Sequence, residues 1–156
     1  MSKLAPGMPA PDFSLANGEG KTVSLKDFAG RKLALYFYPK DDTSGCTKEA
    51  IEFNGLKSAF EAAGCAILGV SPDSIASHAK FAKKYDLAIE LAADPEKAML
   101  EAYGVWVEKS MYGRKYMGVE RTTVLIDAAG KVAQIWEKVK VPGHAEAVLK
   151  AAQTLT

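Results

Sequence analysis

The chain has 156 residues, 48% of them hydrophobic, enough for one domain to bury a core without help from disulfides or metal. Its 20 Lys plus Arg stand against 19 Asp plus Glu, a formal charge of +1, so no overall field draws it to nucleic acid or anionic lipid. The opening MSKLAPGMPAPDF lacks the apolar core of a signal peptide and no later run is long enough to cross a bilayer, so a soluble cytoplasmic chain is expected.

Taken in order, DFSL and KTVSL flank the turn ANGEG and predict an N-terminal β-hairpin, followed by a brief turn at KDFAG. KLALYFY is an unbroken apolar run of strand length, as a central strand covered on both faces requires, and Pro39 stops it because proline cannot donate to the ladder. Ala50, Phe53, Leu56 and Phe60 recur at helical spacing, predicting one amphipathic helix from about residue 44 to 63, with Cys46 in its first turn. CAILGVS reads as a second buried strand, and DSIASHAKFAKKY as a helix capped by Asp73 or Ser74. PEKAMLEAYG is a short helix with Pro95 in its first turn and Gly104 past its end. RTTVLID, AAG and KVAQIWEKV form a hairpin, and a last helix runs from about Gly143 to Leu155. No repeat, low-complexity tract or linker divides the sequence. The order predicts an α/β fold over residues 1–156: a single-domain, thioredoxin-like three-layer sandwich with a mixed central sheet and an N-terminal hairpin.

Two cysteines, Cys46 and Cys65, are too few for a secreted disulfide framework or a thiolate zinc site, and in a reducing compartment a thiol that stands out is more often reactive. A helix N-terminus offers Cys46 unpaired backbone N–H groups and the positive end of the dipole, both of which favour a thiolate. Position alone leaves open that Cys46 merely packs as a small apolar side chain. Its neighbours shift the balance: Gly45 permits close approach of a ligand, Thr43 offers a hydroxyl three residues before the sulfur, and Pro39 screens the site from water.

Pro39, Thr43 and Cys46 in PKDDTSGC match the P-x-x-x-T-x-x-C signature of the peroxiredoxins. The wider runs YFYPKDDTSGCTKEA, GVSPDSIASHAKFAKKYDL, AYGVWVEKSMYGRKYMGVERTTVLID and VKVPGHAEAVL resemble the bacterioferritin comigratory protein, or peroxiredoxin Q, subgroup over almost the whole chain. Ser44 stands where that subgroup usually has proline. The resemblance implies a thiol-dependent peroxidase for hydrogen peroxide and alkyl hydroperoxides, with no cofactor and no metal. Cys46 would attack the O–O bond, Thr43 would orient the peroxide, and the N–H groups of Gly45 and Cys46 would hold its oxygens. Arg121, which opens the strand RTTVLID, would bind thiolate and peroxide together. Glu49 matches an acid that holds this arginine; alternatively it is only a favourable acid near a helix N-terminus.

Attack would leave a sulfenic acid that must condense with another thiol. Where relatives carry a resolving cysteine this chain has Ile51 or, in the following helix, Ala82. Cys65 is expected at the far end of the helix, roughly 25 Å from Cys46 at ~1.5 Å per residue, beyond disulfide reach. A one-cysteine cycle with an external thiol, thioredoxin, glutaredoxin or glutathione, is therefore expected, in a monomer without the C-terminal extension of the ring-forming peroxiredoxins. His78 and His144 lack a paired ligand spacing and are expected to make structural hydrogen bonds. Trp106 and Met111 could approach the active-site mouth, while KSMYGRKY is expected to be a solvated basic loop. A thiol–disulfide oxidoreductase would need cysteine in place of Glu49, and a copper carrier two nearby cysteines and a histidine in the last hairpin. The remaining alternative is a noncatalytic interaction module or holdase.

Overall fold

The computed structural model describes residues 4–155. The predicted hairpin forms as β1 (Ser14–Asn17) and β2 (Thr22–Ser24), and KLALYFY becomes β3 (Lys32–Phe37). Next come α1 (Ser44–Gly55), α2 (Lys57–Ala62), β4 (Cys65–Ser71) and α3 (Ile75–Lys84). The chain continues through β5 (Glu90–Ala93), α4 (Ala98–Ala102), β6 (Trp106–Met111), β7 (Arg114–Val119), β8 (Thr122–Ile126), β9 (Val132–Trp136) and α5 (His144–Thr154). Seven strands join in the order β2-β1-β5-β4-β3-β8-β9. The β3–β4 and β4–β5 pairs are parallel and the others antiparallel, so the sheet is mixed, as predicted.

Side chains alternate across the central strands and divide the core in two. Leu33, Leu35 and Phe37 face one cluster with Leu68, Val70, Val124 and the α4 residues Met99 and Leu100. Ala34, Tyr36 and Tyr38 face the other, with Cys46, Phe53, Phe60, Phe81 and Val148 from α1, α2, α3 and α5. Both faces of the central strands are therefore covered, which is why KLALYFY shows no polar alternation. Gly69, opposite Tyr36 in the β3–β4 register, makes room for a ring: a Cβ there would lie 2.7 Å from Tyr36 Cζ and 2.9 Å from a Leu91 methyl.

Four expectations are corrected. The single helix over residues 44–63 is two helices, interrupted at Leu56 (φ −101°, ψ 4°). Asn54 stands at the break and ties it sideways, its Oδ1 accepting from the N–H groups of Ala88 (2.6 Å) and Ile89 (3.2 Å). The helix after Pro95 begins only at Ala98, after a left-handed Lys97 (φ 64°), so Pro95 belongs to the preceding turn. β5 occupies a stretch to which the sequence assigned no element. KSMYGRKY is not a loop: it spans the two-stranded β6–β7 hairpin, closed by Tyr112 (φ 52°) and Gly113 (φ 78°). Positive φ at both turn positions is the signature of a type I′ turn.

Candidate active site

β3 delivers the chain to the site. Tyr38 extends its pairing by one residue, its N–H donating to the Val70 carbonyl at 3.1 Å, and Pro39 then ends the ladder. A tight loop follows in which Asp42 adopts φ 58°. Thr43 is the N-cap of α1 with extended backbone (φ −95°, ψ 157°), and its carbonyl accepts the Thr47 N–H at 2.8 Å. The Thr43 hydroxyl does not cap the helix; it donates to the Lys40 carbonyl at 2.8 Å. Cys46 lies in the first turn, 1% exposed, within the cluster formed by Ala50, Phe53 and Tyr36.

Arg121 stands one residue before β8 rather than within it, and reaches back across the sheet end to α1. Its Nη2 donates to Cys46 Sγ at 3.3 Å and its Nη1 to Glu49 Oε1 at 2.6 Å. The guanidinium fork thus holds a sulfur with one arm and a carboxylate with the other, a division that a lysine ammonium cannot reproduce. A Cβ on Gly45 would lie 3.3 Å from Arg121 Nη2, so the glycine keeps this approach open. Burial pushes the Glu49 carboxyl up to about 7, against the opposing pull of Arg121. Lys109 of β6 faces the same group, and partial burial and the Arg121 charge hold its ammonium below the ordinary value. Glu49 Oε2 and the Tyr36 hydroxyl are buried with no hydrogen-bond partner among the described residues.

The structure therefore brings Cys46, Gly45, Glu49 and Arg121 into direct proximity, with Thr43 at the helix cap and half-buried Pro39 at the loop's start. Trp106 lies elsewhere, packed against the α4-side cluster with Lys97 Nζ 5.4 Å from its ring, and Met111 is 56% exposed on the hairpin. Ile51 is exposed on α1 and Ala82 half-buried on α3. Cys65 opens β4 opposite Lys32, whereas the Cys46 loop follows the other end of β3. The strand alone separates the two by roughly 17 Å at ~3.3 Å per residue. Both thiols are free.

The histidines are bound within hydrogen-bond networks, as expected. His144 Nε2 meets Thr123 Oγ1 at 2.7 Å, and burial with the nearby Arg121 charge lowers its pKa to about 4. His78 joins a network that sequence reasoning missed. Its Nδ1 lies 2.7 Å from Oδ2 of Asp41, a buried residue of the active-site loop, and its Nε2 lies 2.9 Å from the Ala92 carbonyl. Asp41, Asp73 and His78 come within 4.8 Å of one another, a spacing that could hold a metal, but their facing atoms are engaged by each other and by Ser71, Ser77 and Tyr38. The sequence signal for Asp41 was its place inside the motif. Its partner, 37 residues away, left none.

A thioredoxin-like sandwich carrying a buried cysteine at a helix N-terminus, with an arginine on its sulfur, defines the class of thiol peroxidases. The chain belongs to the AhpC/TSA family, whose profile matches residues 6–135, and within it to the peroxiredoxins of the bacterioferritin comigratory protein and peroxiredoxin Q subgroup. It is 48% identical to a putative peroxiredoxin Bcp of Coxiella burnetii, over 92% of this chain and 95% of that one. Peroxiredoxin Bcp of Bacillus subtilis is 46% identical, over 96% and 93%. A solved structure of Xanthomonas campestris bacterioferritin comigratory protein, described in connection with its alkyl peroxide reduction activity, superposes with a TM-score of 0.90 at 43% identity, over 96% of this chain and 98% of that one. The protein is a thiol-dependent peroxidase that takes a peroxide substrate and a thiol reductant, and these relationships do not favour a noncatalytic module. No helix of the described residues is long and apolar enough to cross a membrane.

Proposed function

We propose that Cys46 is the peroxidatic nucleophile of a one-cysteine cycle. The observation that carries this reading is the Arg121 Nη2 contact to its sulfur at 3.3 Å, which places a cationic donor on the atom that would attack. The thiolate attacks one peroxide oxygen in line with the O–O bond; the S–O bond forms as the O–O bond breaks, and the departing alkoxide or hydroxide takes up a proton to leave as alcohol or water. The Thr43 hydroxyl gives its own proton to the Lys40 carbonyl, so its lone pairs are free to accept the peroxide O–H. The N–H groups of Gly45 and Cys46, in a helical first turn where such groups lack intrahelical partners, face the oxygens on which charge develops. Glu49 fixes the fork of Arg121, and Pro39 shields the loop.

The sulfenic acid then meets no second thiol nearby, since Ile51 and Ala82 stand where the subgroup resemblance would place a resolving cysteine, Ala82 as the nearest match, and Cys65 stands at the opposite end of the sheet. Two equivalents of external thiol complete the cycle: the first condenses with the sulfenic acid, releasing water, and the second displaces it as a disulfide and restores Cys46. Thioredoxin, glutaredoxin and glutathione are the reductant classes that fit, and hydrogen peroxide and alkyl hydroperoxides the substrates. The enzyme works as a single-domain monomer in the cytoplasm, without metal or cofactor.

Intact mass after one equivalent of peroxide, with and without a sulfenic-acid trap, tests this cycle on wild type and Cys65→Ser. Addition of one oxygen and capture by the trap in both are expected. A loss of two hydrogens in undenatured wild type, absent in Cys65→Ser, would mean a Cys46–Cys65 bridge and overturn the one-cysteine cycle.

A further inference from the structure

The loop that carries Thr43 into α1 is bolted to α3 by groups that hydrogen-bond neither the Cys46 sulfur nor Arg121. Oδ2 of Asp41 receives His78 Nδ1 and Ser77 Oγ, each at 2.7 Å, and Oδ1 receives the Tyr38 hydroxyl at 2.6 Å. The Asp41 backbone N–H donates to Asp73 Oδ2 at 2.7 Å, and the same oxygen accepts from Ser71 Oγ at 2.7 Å. On the far side of its ring His78 meets the Ala92 carbonyl of β5 at 2.9 Å. Oδ2 of Asp41 and the Ala92 carbonyl are both acceptors, so the His78 ring is held between two acceptors and is fully buried, at 0% exposure. A second anchor sits further along α3: exposed Asp42, in its left-handed conformation, takes Lys84 Nζ at 2.7 Å and the Tyr85 hydroxyl at 2.5 Å.

Burying such a pair is a poor source of stability, because its desolvation offsets most of the attraction. What a rigid ring with two opposed nitrogens supplies is a fixed span, here between β5 and the active-site loop. We infer that His78, acting through Asp41, is a positioning residue for peroxide attack: it sets where Thr43 and the first-turn N–H groups stand relative to the Cys46 sulfur. The inference rests on Cys46 being the nucleophile. It separates two tasks spatially, since Arg121 approaches the sulfur from β8 while the placement of the peroxide is governed from α3.

That separation gives the test. Alkylation by iodoacetamide needs a thiolate and access, whereas peroxide attack also needs the oriented donors and acceptor, and misplacement of about 1 Å can cost on the order of a hundredfold. The second-order rate of Cys46 oxidation by hydrogen peroxide, read by intact mass, and the iodoacetamide rate at the same pH are compared in wild type, His78→Gln, Ser77→Ala and Asp42→Asn. His78→Gln is expected to slow oxidation about tenfold or more, and Ser77→Ala and Asp42→Asn about threefold each, with alkylation within about twofold of wild type throughout. Ser77 and Asp42 lie outside the core, so their variants keep the test decisive if His78→Gln does not fold. Parallel loss of both rates, or unchanged oxidation in the folded variants, would overturn the positioning role. Failure of the nucleophile reading shows differently: Cys46→Ser would then still consume peroxide.

Discussion

The two cysteines are almost equally buried, 1% exposed for Cys46 and 2% for Cys65, yet they occupy opposite chemical environments at opposite ends of the parallel β3–β4 pair. Around Cys65 desolvation dominates: burial pushes its thiol up to about 11, and the sulfur's hydrogen bond goes to the adjacent Ala66 carbonyl at 3.4 Å. The nearby Lys32 cation does little for it, because its ammonium is engaged by the carbonyls of Ala63 (3.1 Å) and Ala152 (2.8 Å), close to the C-termini of α2 and α5. Around Cys46 an arginine fork, a helix N-terminus and a carboxylate converge. Burial by itself makes a thiol less acidic; a neighbouring cation or a helix N-terminus works in the opposite direction.

The largest effect that could break this contrast is loss of either sulfur. Cys46→Ser is expected to reduce peroxide turnover to background, since a serine hydroxyl is barely ionised at neutral pH, while Cys65→Ser stays within about twofold of wild type in a steady-state assay with dithiothreitol. Comparable losses in both variants would erase the distinction. Next, Arg121→Lys is expected to lower the peroxide rate by about a hundredfold, because a point charge cannot hold Sγ and Glu49 together. A lysine variant matching wild type in stopped-flow oxidation would reduce Arg121 to a background cation.

A smaller effect sharpens the electrostatic side. Burial raises the Glu49 carboxyl from 4.5 to about 7, so folding favours its protonated form more than the unfolded chain does. The sign follows: as pH rises from about 4.5 through 7 the native carboxyl is forced to ionise in a buried site, and wild type loses stability from this group. Glu49→Gln keeps an oxygen for Arg121 and removes the titration. Its stability relative to wild type is expected to increase between pH 5 and pH 8, by on the order of 1 kcal/mol or more in urea unfolding. A difference independent of pH would mean that Arg121 offsets the desolvation completely. The smallest effect is Tyr36→Phe, which removes a buried hydroxyl without a partner and is expected to change stability by less than about 1 kcal/mol, in the stabilising direction.

Where each element's own side chains specify it, the sequence was legible. KLALYFY, CAILGVS and the last hairpin appear as strands because their apolar runs face two core layers. β5 escaped because ELAA has no β-branched residue, and its strand character comes from pairing with β4 and β1. β6 and β7 escaped because most of their side chains face water, leaving no apolar alternation to read. The break at Leu56 comes just after Asn54 and Gly55, and the Asn54 contacts to residues 88 and 89 are ones helical spacing does not encode. At the site the contrast is the same. Cys46, Thr43, Gly45 and Pro39 lie within one short motif, whereas the Asp41–His78 pair is a contact of the fold and became visible only with α3 in place.

In protein-engineering terms, the Tyr112–Gly113 turn is an unused reserve. Tyr112 is 99% exposed and sits at φ 52°, where a bulky L-residue is disfavoured by roughly 1 kcal/mol and asparagine is tolerated. A Tyr112→Asn exchange would suit the turn that joins β6 to β7 while touching no buried contact. The most exposed aromatic of the chain thus occupies a position where folding alone would choose another residue.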